Sequence, residues 1–167
     1  TPNAGIMMGS RCGDIDSSII PYIMEQTGMS AKEMDTALNK KSGLLGISGV
    51  SSDSRDIEDG IKSGNDRCKL AQEMYVNKIV KYIAEYYVEL GGADAIVFTA
   101  GVGENSITTR KQTIDKLACL GIKLDEQRNN VRAEVALIST DDSSVKVYVI
   151  PTDEEVMIAR DTYKLAS

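Results

Sequence analysis

The sequence predicts an α/β fold, and three observations support this prediction. Two short runs rich in β-branched residues, 93–100 (ADAIVFTA) and 144–152 (SVKVYVIPT), are bounded by turn residues, as buried strands of a mainly parallel sheet usually are. A stretch with helical character follows each run, at 106–121 and at 153–166. The resulting order of strand, helix, strand and helix is typical of α/β domains.

Composition excludes several classes of protein. The chain has 167 residues, 42% of them hydrophobic and 26% charged, which corresponds to about one globular domain. Its formal net charge is -6 and its Lys and Arg residues form no stripe, so neither a nucleic acid nor an anionic membrane surface is an expected partner. No apolar run approaches the roughly 20 residues of a transmembrane helix, and the N-terminus lacks the pattern of a signal peptide. We therefore expect a cytoplasmic protein.

Cysteine and histidine usage limits the chemistry. Cys12, Cys68 and Cys119 are odd in number and far apart, which predicts free thiols rather than a disulfide framework or a zinc site. Histidine is absent, so this chain alone cannot form a Ser-His or Cys-His catalytic pair. Any chemistry must then use Arg, Lys, carboxylates, backbone amides or a metal ion.

The first elements along the chain are a loop and a helix. Residues 1–16 are rich in glycine and small residues without a clear period, which predicts a loop. Asp16 is expected to cap a helix that runs on through 19–28, with Pro21 near its first turn.

A capping box predicts the second helix. Ser30 and Glu33 have the spacing of that motif at the start of 31–41, and Gly43 is expected to end the helix. Residues 43–56 form another segment of small residues with a charged end.

The strongest secondary-structure signal is a helix over residues 66–90. Asn65 is its expected cap, and Gly91 and Gly92 follow its end. Its apolar residues suggest burial on more than one side, which either a buried helix or a contact between subunits would explain. Those residues recur at roughly helical spacing, at Leu70, Met74, Ile79, Ile83, Tyr86 and Leu90.

The predicted sheet is small. Besides the two strands above, only residues 136–142 (ALISTDD) offer a further short strand, whereas a doubly wound domain normally has more. Either short strands escape detection, or the chain is part of a larger unit.

Residues 98–106 (FTAGVGENS) are the first candidate for a binding site. Ligands of open α/β sheets bind at such strand ends, and the amides of a following helix favour an anion. The segment therefore fits either a phosphate-binding loop or a plain structural turn. Ser106 stands where a dinucleotide-binding fingerprint has its third glycine, which disfavours an NAD-dependent dehydrogenase, and no Walker lysine is present.

An acidic helix start follows the last predicted strand. Asp153, Glu154 and Glu155 either complement the helix dipole or place one carboxylate on Mg2+ beside a phosphate chain. A phosphate site and a metal site on neighbouring strands would support each other.

Two arginines are the last candidates for binding or catalytic residues. Arg11 lies among small residues, where its guanidinium either stabilises a phosphoryl group in transfer or forms an ordinary surface ion pair. Asp53 either caps a helix or accepts a hydrogen bond from a ribose, with Arg55 stacked on a base.

Taken together, four segments resemble the C-terminal part of the acetokinase family, within the acetate and sugar kinase, Hsp70 and actin superfamily. The resemblance covers almost the whole chain apart from residues 125–144 and the extreme ends. It implies a partial ribonuclease-H-like α/β fold, namely a C-terminal lobe that lacks its first strands. The segments occur in the family's order, as 7–16 (MMGSRCGDID), 38–57 (LNKKSGLLGISGVSSDSRDI), 94–106 (DAIVFTAGVGENS) and 149–162 (VIPTDEEVMIARDT).

The resemblance also implies roles for single residues. Arg11 is expected to stabilise the transferring phosphoryl group, and Glu154 to bind Mg2+. Asp153 replaces the family's common asparagine, which adds negative charge near the metal. The implied nucleotide-binding residues are Asp53 at the ribose, Ser54, Arg55 at the adenine, and Gly101, Val102, Gly103, Glu104 and Asn105 beside the adenosine and phosphates.

The implied activity is the reversible transfer of the γ-phosphoryl group of ATP to acetate, giving acetyl phosphate and ADP. Family enzymes are longer and hold acetate in a first lobe that this chain lacks, so the chain alone is expected to be inactive. We expect residues 1–167 to form a single C-terminal lobe, with a helical insertion at roughly 15–90 and an α/β core at roughly 93–167. A homodimer through the helix near 75–90 is also expected. Propionate as the acceptor, and a stand-alone nucleotide-binding or interaction module without catalysis, are the alternatives.

Overall fold

The computed structural model describes residues 2–166. These residues divide into two compact units, 2–91 and 92–166. Within the described residues, no helix combines the length and the apolar character that crossing a membrane requires. The three cysteines are free thiols, as the sequence predicts.

The first unit is helical. Its helices in chain order are α1 (Ile19–Thr27), α2 (Ala31–Lys40), α3 (Gly43–Ser48), α4 (Ser54–Lys62) and α5 (Asp66–Glu89). The unit has a small apolar core, to which the N-terminal segment contributes Met7 and the helices α3, α4 and α5 contribute Leu44, Ile57, Cys68 and Ala71. α5 packs against both α3 and α4, so the core lies between these three helices.

Local signals set the starts of α1 and α2. The capping box of α2 is confirmed, since Ser30 Oγ accepts a hydrogen bond from the Glu33 amide at 3.3 Å and Glu33 Oε2 accepts one from the Ser30 amide at 2.8 Å. The predicted cap of α1 is wrong. Ser18 is the N-cap residue, and Asp16 instead stabilises the preceding turn by accepting from the Ser18 amide at 2.9 Å. The prediction for Gly43 is also wrong, because Gly43 begins α3 and does not end α2.

α3 lies within the small-residue segment 43–56, and α4 begins in that segment and runs beyond it, after the possible cap at Asp53. They contain six and nine residues, and helices this short are marginal in isolation. Leu44 of α3 and Ile57 of α4 are buried in the core beside α5. Tertiary packing therefore stabilises both helices, which is why sequence periodicity does not reveal them.

α5 begins and ends close to the predicted residues, and Asn65 caps it by accepting from the amides of Arg67 and Cys68 at 3.0 and 3.2 Å. The predicted apolar stripe, however, is not its buried face. The exposed members of that stripe are Leu70, Met74, Tyr86 and Leu90. The buried residues are Cys68, Ala71, Gln72 and Val76. Small side chains such as those of Cys68 and Ala71 let α3 and α4 approach the helix closely, which explains why they lie inside.

The second unit carries the sheet. Its elements in chain order are β1 (Ala95–Phe98), α6 (Ala100–Asn105), α7 (Ile107–Lys116), a 3-10 turn (Ala118–Leu120), β2 (Ala136–Leu137), β3 (Lys146–Val149) and α8 (Glu154–Ala166). The strand order is β1-β3-β2. β1 runs parallel to β3, with Ile96 opposite Val147, and β2 runs antiparallel to β3, with Leu137 opposite Tyr148. The sheet is therefore mixed rather than mainly parallel, because the short connection from β2 to β3 cannot cross over.

The two predicted strands differ in burial. Val147 and Val149 of β3 are buried, as expected for a central strand. Val97 of β1 is 47% exposed, since among the described residues β1 pairs on one side only. The remaining buried apolar residues of this unit lie at the end of β1, on or next to α7 and in the segments that flank β2 and β3, and are Phe98, Ile114, Leu117, Ile122, Ile138 and Val145.

Candidate functional site

The predicted site residues fall into two groups, one in each unit. Arg11 and the segment Asp53–Arg55 lie in the first unit, whereas the segment Gly101–Asn105 and Glu154 lie in the second.

Backbone contacts hold the segment that presents Arg11. The Met8 amide donates to the Arg11 carbonyl at 3.1 Å, and the Leu44 amide donates to the Met8 carbonyl at 3.0 Å. Gly43 makes this approach possible, because a Cβ there would overlap the Met8 carbonyl oxygen and lie 2.8 Å from that of Arg11. Its φ of +61° also favours glycine. The exposed Arg11 side chain thus projects from a backbone fixed against the start of α3.

A second close contact brings the Arg11 segment to the start of α4. A Cβ on Gly9 would lie 2.6 Å from the Ser52 carbonyl oxygen, so the two backbones are in contact at this point. Ser52 immediately precedes Asp53. Two of the segments that the family resemblance singles out are therefore neighbours in the first unit.

Asp53 and Arg55 form one hydrogen-bonded group. Asp53 is the N-cap of α4, whose first residue is Ser54, and its Oδ1 accepts from the Arg55 amide at 2.9 Å. The Arg55 guanidinium also donates to this carboxylate, with Nη2 at 2.6 Å from Oδ2 and Nε at 3.1 Å from Oδ1. These hydrogen bonds lower the pKa of Asp53 to about 2. The structural interpretation of Asp53 as a helix cap is thus correct, and the Arg55 side chain is exposed.

In the second unit the glycine-rich segment is a short helix rather than an open loop. α6 contains the residues singled out by the resemblance, namely Gly101, Val102, Gly103, Glu104 and Asn105. It begins directly after β1 and ends at Ser106, whose side chain caps α7 by accepting from the Thr109 amide at 3.1 Å. Two helices therefore follow the strand in immediate succession.

Arg110 of α7 holds the C-terminal end of α6. Its side chain is fully buried, and its Nη1 donates to the carbonyls of Gly103 and Glu104, both at 2.9 Å. Nε donates to Asn129 Oδ1 at 2.8 Å, and Nη2 donates to the carbonyls of Asn129 and Val131 at 2.9 and 2.8 Å. All five N–H groups are used by oxygens without formal charge. Burial, together with the charge of a neighbouring arginine, lowers the pKa of this guanidinium.

A cleft of about 440 Å³ lies at the carboxyl ends of β1 and β3. One side consists of Ala100, Gly101 and Glu104 of α6, and the other consists of residues 152–155. Within the second unit the structure therefore brings the predicted phosphate segment and the predicted metal ligand Glu154 to the same cavity. This is the site that the topology of open α/β sheets predicts.

Two polar residues join the sides of this cleft. Thr152 Oγ1 lies 2.6 Å from Thr99 Oγ1 and accepts from the Ala100 amide at 3.2 Å. Glu104 Oε1 accepts from the Thr152 amide at 2.7 Å. Asp153 accepts from the Val156 amide at 3.2 Å, so its carboxylate caps α8.

Arg110 and Thr152 are missed by the sequence reasoning. The arginine is one of several charged residues on a mostly polar helix, and the threonine is a single hydroxyl before an acidic stretch. Neither belongs to a recognisable local motif, since the partners of Thr152 are about 50 residues away and those of Arg110 are 6 to 21 residues away.

The donor set of the cleft suits a magnesium ion held mainly by other groups. Within residues 2–166, no cluster of three or more acidic, cysteine or histidine side chains is arranged to hold a metal. The side chains of Glu154 and Glu155 are exposed at the cleft. Mg2+ is commonly bound by one or two carboxylates together with water and substrate phosphates, so these residues fit that ion.

Comparison with known proteins shows which family the chain resembles. A model of the acetokinase family matches residues 1–160. The acetate kinase of Bacillus subtilis (strain 168) is 55% identical over 166 residues, which cover 99% of this chain and 42% of that protein. The chain thus spans well under half the length of the curated relatives it matches.

Solved structures agree with the sequence comparison. The crystal structure of Porphyromonas gingivalis acetate kinase matches with a TM-score of 0.93 and 47% identity, over 100% of this chain and 42% of the other. A propionate kinase from Francisella tularensis subsp. tularensis SCHU S4 matches with a TM-score of 0.89 and 42% identity, over 95% of this chain and 40% of the other. The mixed α/β architecture is therefore part of the fold of the acetate and sugar kinase, Hsp70 and actin superfamily. On the family model, the sequence identities and the structural matches together, the chain belongs to the acetokinase family.

Proposed function

We propose that this chain is the nucleotide-binding C-terminal lobe of an acetate kinase, which transfers the γ-phosphoryl group of ATP reversibly to acetate. The main observation that supports the proposal is the cleft in the second unit. It places the first residues of α6 and the carboxylate of Glu154 together at the carboxyl ends of β1 and β3. Phosphoryl transfer depends mainly on positioning and charge neutralisation, which are what such a cleft supplies.

The charge of the cleft supports a requirement for a cation. Its lining includes Glu104, Asp153, Glu154 and Glu155, and none of the lysines or arginines within residues 2–166. A nucleotide phosphate placed there alone would be repelled by these carboxylates. Mg2+, held by Glu154 directly or through water, would neutralise phosphate charge and bring the nucleotide into the cleft.

Arg11, Asp53 and Arg55 are assigned further roles in the proposal. The exposed guanidinium of Arg11 would stabilise the phosphoryl group in transfer. The carboxylate of Asp53 would accept a hydrogen bond from the ribose while retaining its contact with Arg55, whose exposed guanidinium would stack on the adenine. Asp53 remains ionised at neutral pH because its pKa is about 2, so it can act as an acceptor.

The remaining parts of the proposal concern the intact protein. Its acetate site and the rest of the catalytic groups would lie outside this chain, so the isolated chain would bind nucleotide weakly and would not turn over. We place residues 1–167 in one C-terminal lobe of a cytoplasmic enzyme. The exposed apolar residues Tyr86, Val88 and Leu90 near the end of α5 would contribute to a homodimer contact.

Two measurements on the chain test this proposal. An NMR titration with Mg·ADP up to millimolar concentrations should shift the amide signals of residues 100–105, and ADP with EDTA should shift them less. In Glu154→Gln, Mg·ADP should shift these amide signals no more than ADP with EDTA does. In Glu134→Gln, a substitution outside the cleft, Mg·ADP should still cause the larger shifts. A hydroxamate assay for acetyl phosphate should detect no turnover by the chain alone.

Either measurement can contradict the proposal. If no amide of α6 responds to Mg·ADP, the cleft is not a nucleotide site. If the chain alone forms acetyl phosphate rapidly, the assignment of essential catalytic groups to another part of the protein is wrong. Light scattering that gives a monomer at high concentration would remove the dimer from the proposal.

Propionate is the second candidate acceptor, because the structural match to a propionate kinase is nearly as close as that to an acetate kinase. The residues that select the acyl group would lie largely outside this chain. Comparing kcat/KM for acetate and propionate in the intact protein distinguishes the two.

A further inference from the structure

The backbone of Ala100 is held in an uncommon conformation. This residue is the first of α6 and has a φ of +58°, in the left-handed region that L-residues other than glycine rarely enter. Conformations of this kind persist only where surrounding contacts impose them. Ala100 lines the cleft, so its strain lies at the candidate site.

The hydroxyl of Thr152 supplies the contact that holds Ala100. Thr152 Oγ1 accepts from the Ala100 amide at 3.2 Å, and it also shares a hydrogen bond with Thr99 Oγ1 at 2.6 Å, in which either hydroxyl can donate. The residue follows β3 in sequence, whereas Thr99 and Ala100 follow β1. One side chain therefore joins the two strand ends where the cleft forms.

The backbone of Thr152 makes a second connection to α6. Its amide donates to Glu104 Oε1 at 2.7 Å, near the other end of that helix. Since Glu154 begins α8 two residues later, α6 and the predicted metal ligand are tied to each other through Thr152. Thr152 therefore connects both ends of α6 to the segment that carries Glu154.

We propose that Thr152 is a positioning residue for the magnesium nucleotide, and that it acts by holding Ala100 in the left-handed conformation. Its hydroxyl fixes α6 relative to Glu154, so that a phosphate at the α6 amides and a metal at Glu154 can bind together. This inference depends on the proposed function of the cleft.

Three substitutions in this chain test the inference by NMR titration with Mg·ADP. Thr152→Val removes the hydroxyl but keeps the shape and the amide, and it should weaken binding about three- to tenfold, the value of one net hydrogen bond. Thr152→Ser keeps the hydroxyl and should bind like the unchanged chain. Thr108→Val removes an exposed hydroxyl on α7, outside the cleft, and serves as the matched control.

A fourth substitution separates positioning from direct contact. Glycine adopts a positive φ without strain, so Ala100→Gly should restore Mg·ADP affinity when it is added to Thr152→Val. If Thr152 touched the nucleotide itself, Ala100→Gly would restore nothing, and the inference would be overturned. Hydrogen exchange gives a readout without ligand. Thr152→Val should speed exchange of the Ala100 amide and leave that of Val147 in β3 unchanged.

The outcomes distinguish this inference from the proposed function. If the unchanged chain binds no Mg·ADP, the nucleotide site fails, and the inference fails with it. If the unchanged chain binds and Thr152→Val binds equally well, only the positioning role is wrong. Weakened binding by Thr152→Val, together with rescue by Ala100→Gly, supports both the nucleotide site and the positioning role of Thr152.

Discussion

Replacing Arg110 by lysine tests whether this buried residue holds the second unit together. Arg110 is 0% exposed and donates five hydrogen bonds from a planar group. A lysine has at most three N–H donors, all on one nitrogen, so at least two of the five oxygens lose their partner. Each buried polar group left without a partner costs roughly 1–3 kcal/mol, so Arg110→Lys should lower the free energy of unfolding of this unit by about 2–6 kcal/mol. Lysine keeps the positive charge, so the loss of stability reports on the geometry of the hydrogen bonds.

Native-state hydrogen exchange is the suitable assay, because it reports on each unit separately. A loss of about 2 kcal/mol or more corresponds to exchange at least about 25-fold faster at the Val147 amide in β3. The matched control is Arg132→Lys, at an exposed arginine of the same unit, which should change stability by less than about 0.5 kcal/mol. If Arg110→Lys costs no more than this control, the hydrogen bonds of the guanidinium do not support α6 and the argument fails.

Three further predictions concern the first unit. Arg55 keeps the pKa of Asp53 at about 2, below its ordinary value of 3.8, so the stabilisation from this pair is present above that value and is lost as pH falls through about 2. Arg55→Gln should move the carboxyl midpoint in an NMR titration back toward 3.8. A hydrogen bond to Asp14 raises the pKa of Tyr82 to about 12, so stabilisation there is complete below the ordinary value of 10.0 and is lost as pH rises through about 12. Asp14→Asn should return the phenol absorbance midpoint toward 10.0. Gly43→Ala should lower stability in urea by roughly 1–3 kcal/mol, from backbone overlap and positive φ.

The glycine prediction has a control that separates its two causes. Gly28 has a similar φ of +72°, but a Cβ there would meet no atom within 4 Å. Gly28→Ala should therefore report the conformational cost alone and be the milder of the two changes. Equal losses for Gly28→Ala and Gly43→Ala would mean that the contact beside Arg11 adds nothing. For the two titrations, midpoints that stay in place after substitution would show that other groups shift these pKa values.

Much of the secondary structure follows from the sequence, because its signals are local. The capping box at Ser30 and Glu33 and the cap at Asn65 involve neighbours in the chain, and both predictions are confirmed. The strands at 95–98 and 146–149 are likewise recognised from their β-branched residues. The local cap assigned to Asp16 is wrong, because the helix begins after Ser18, whose side chain makes no capping hydrogen bond, and Asp16 bonds the Ser18 amide in the preceding turn.

The short helices do not follow from the sequence. α3, α4 and α6 contain too few residues to be stable alone, and each depends on contacts from distant parts of the chain. α6 in particular has two glycines and a residue with positive φ, which oppose helix formation. Its hydrogen bonds to Thr152 and Arg110 compensate for this unfavourable composition.

Membership in the acetokinase family can be recognised from the sequence alone, which also singles out the residues Arg11, Asp53–Arg55, Gly101–Asn105 and Glu154. Their identities and order along the chain suffice for recognition, and their roles stay predictions. The folded structure was needed to show that α6 and Glu154 line one cleft, and that Arg110 and Thr152 form hydrogen bonds that hold α6. The partners of Thr152 are 48 to 53 residues away, so no short-range pattern could reveal them. Hydrogen bonds over such separations exist only after the strands have paired, and for that reason the geometry of the site depends on the folded chain.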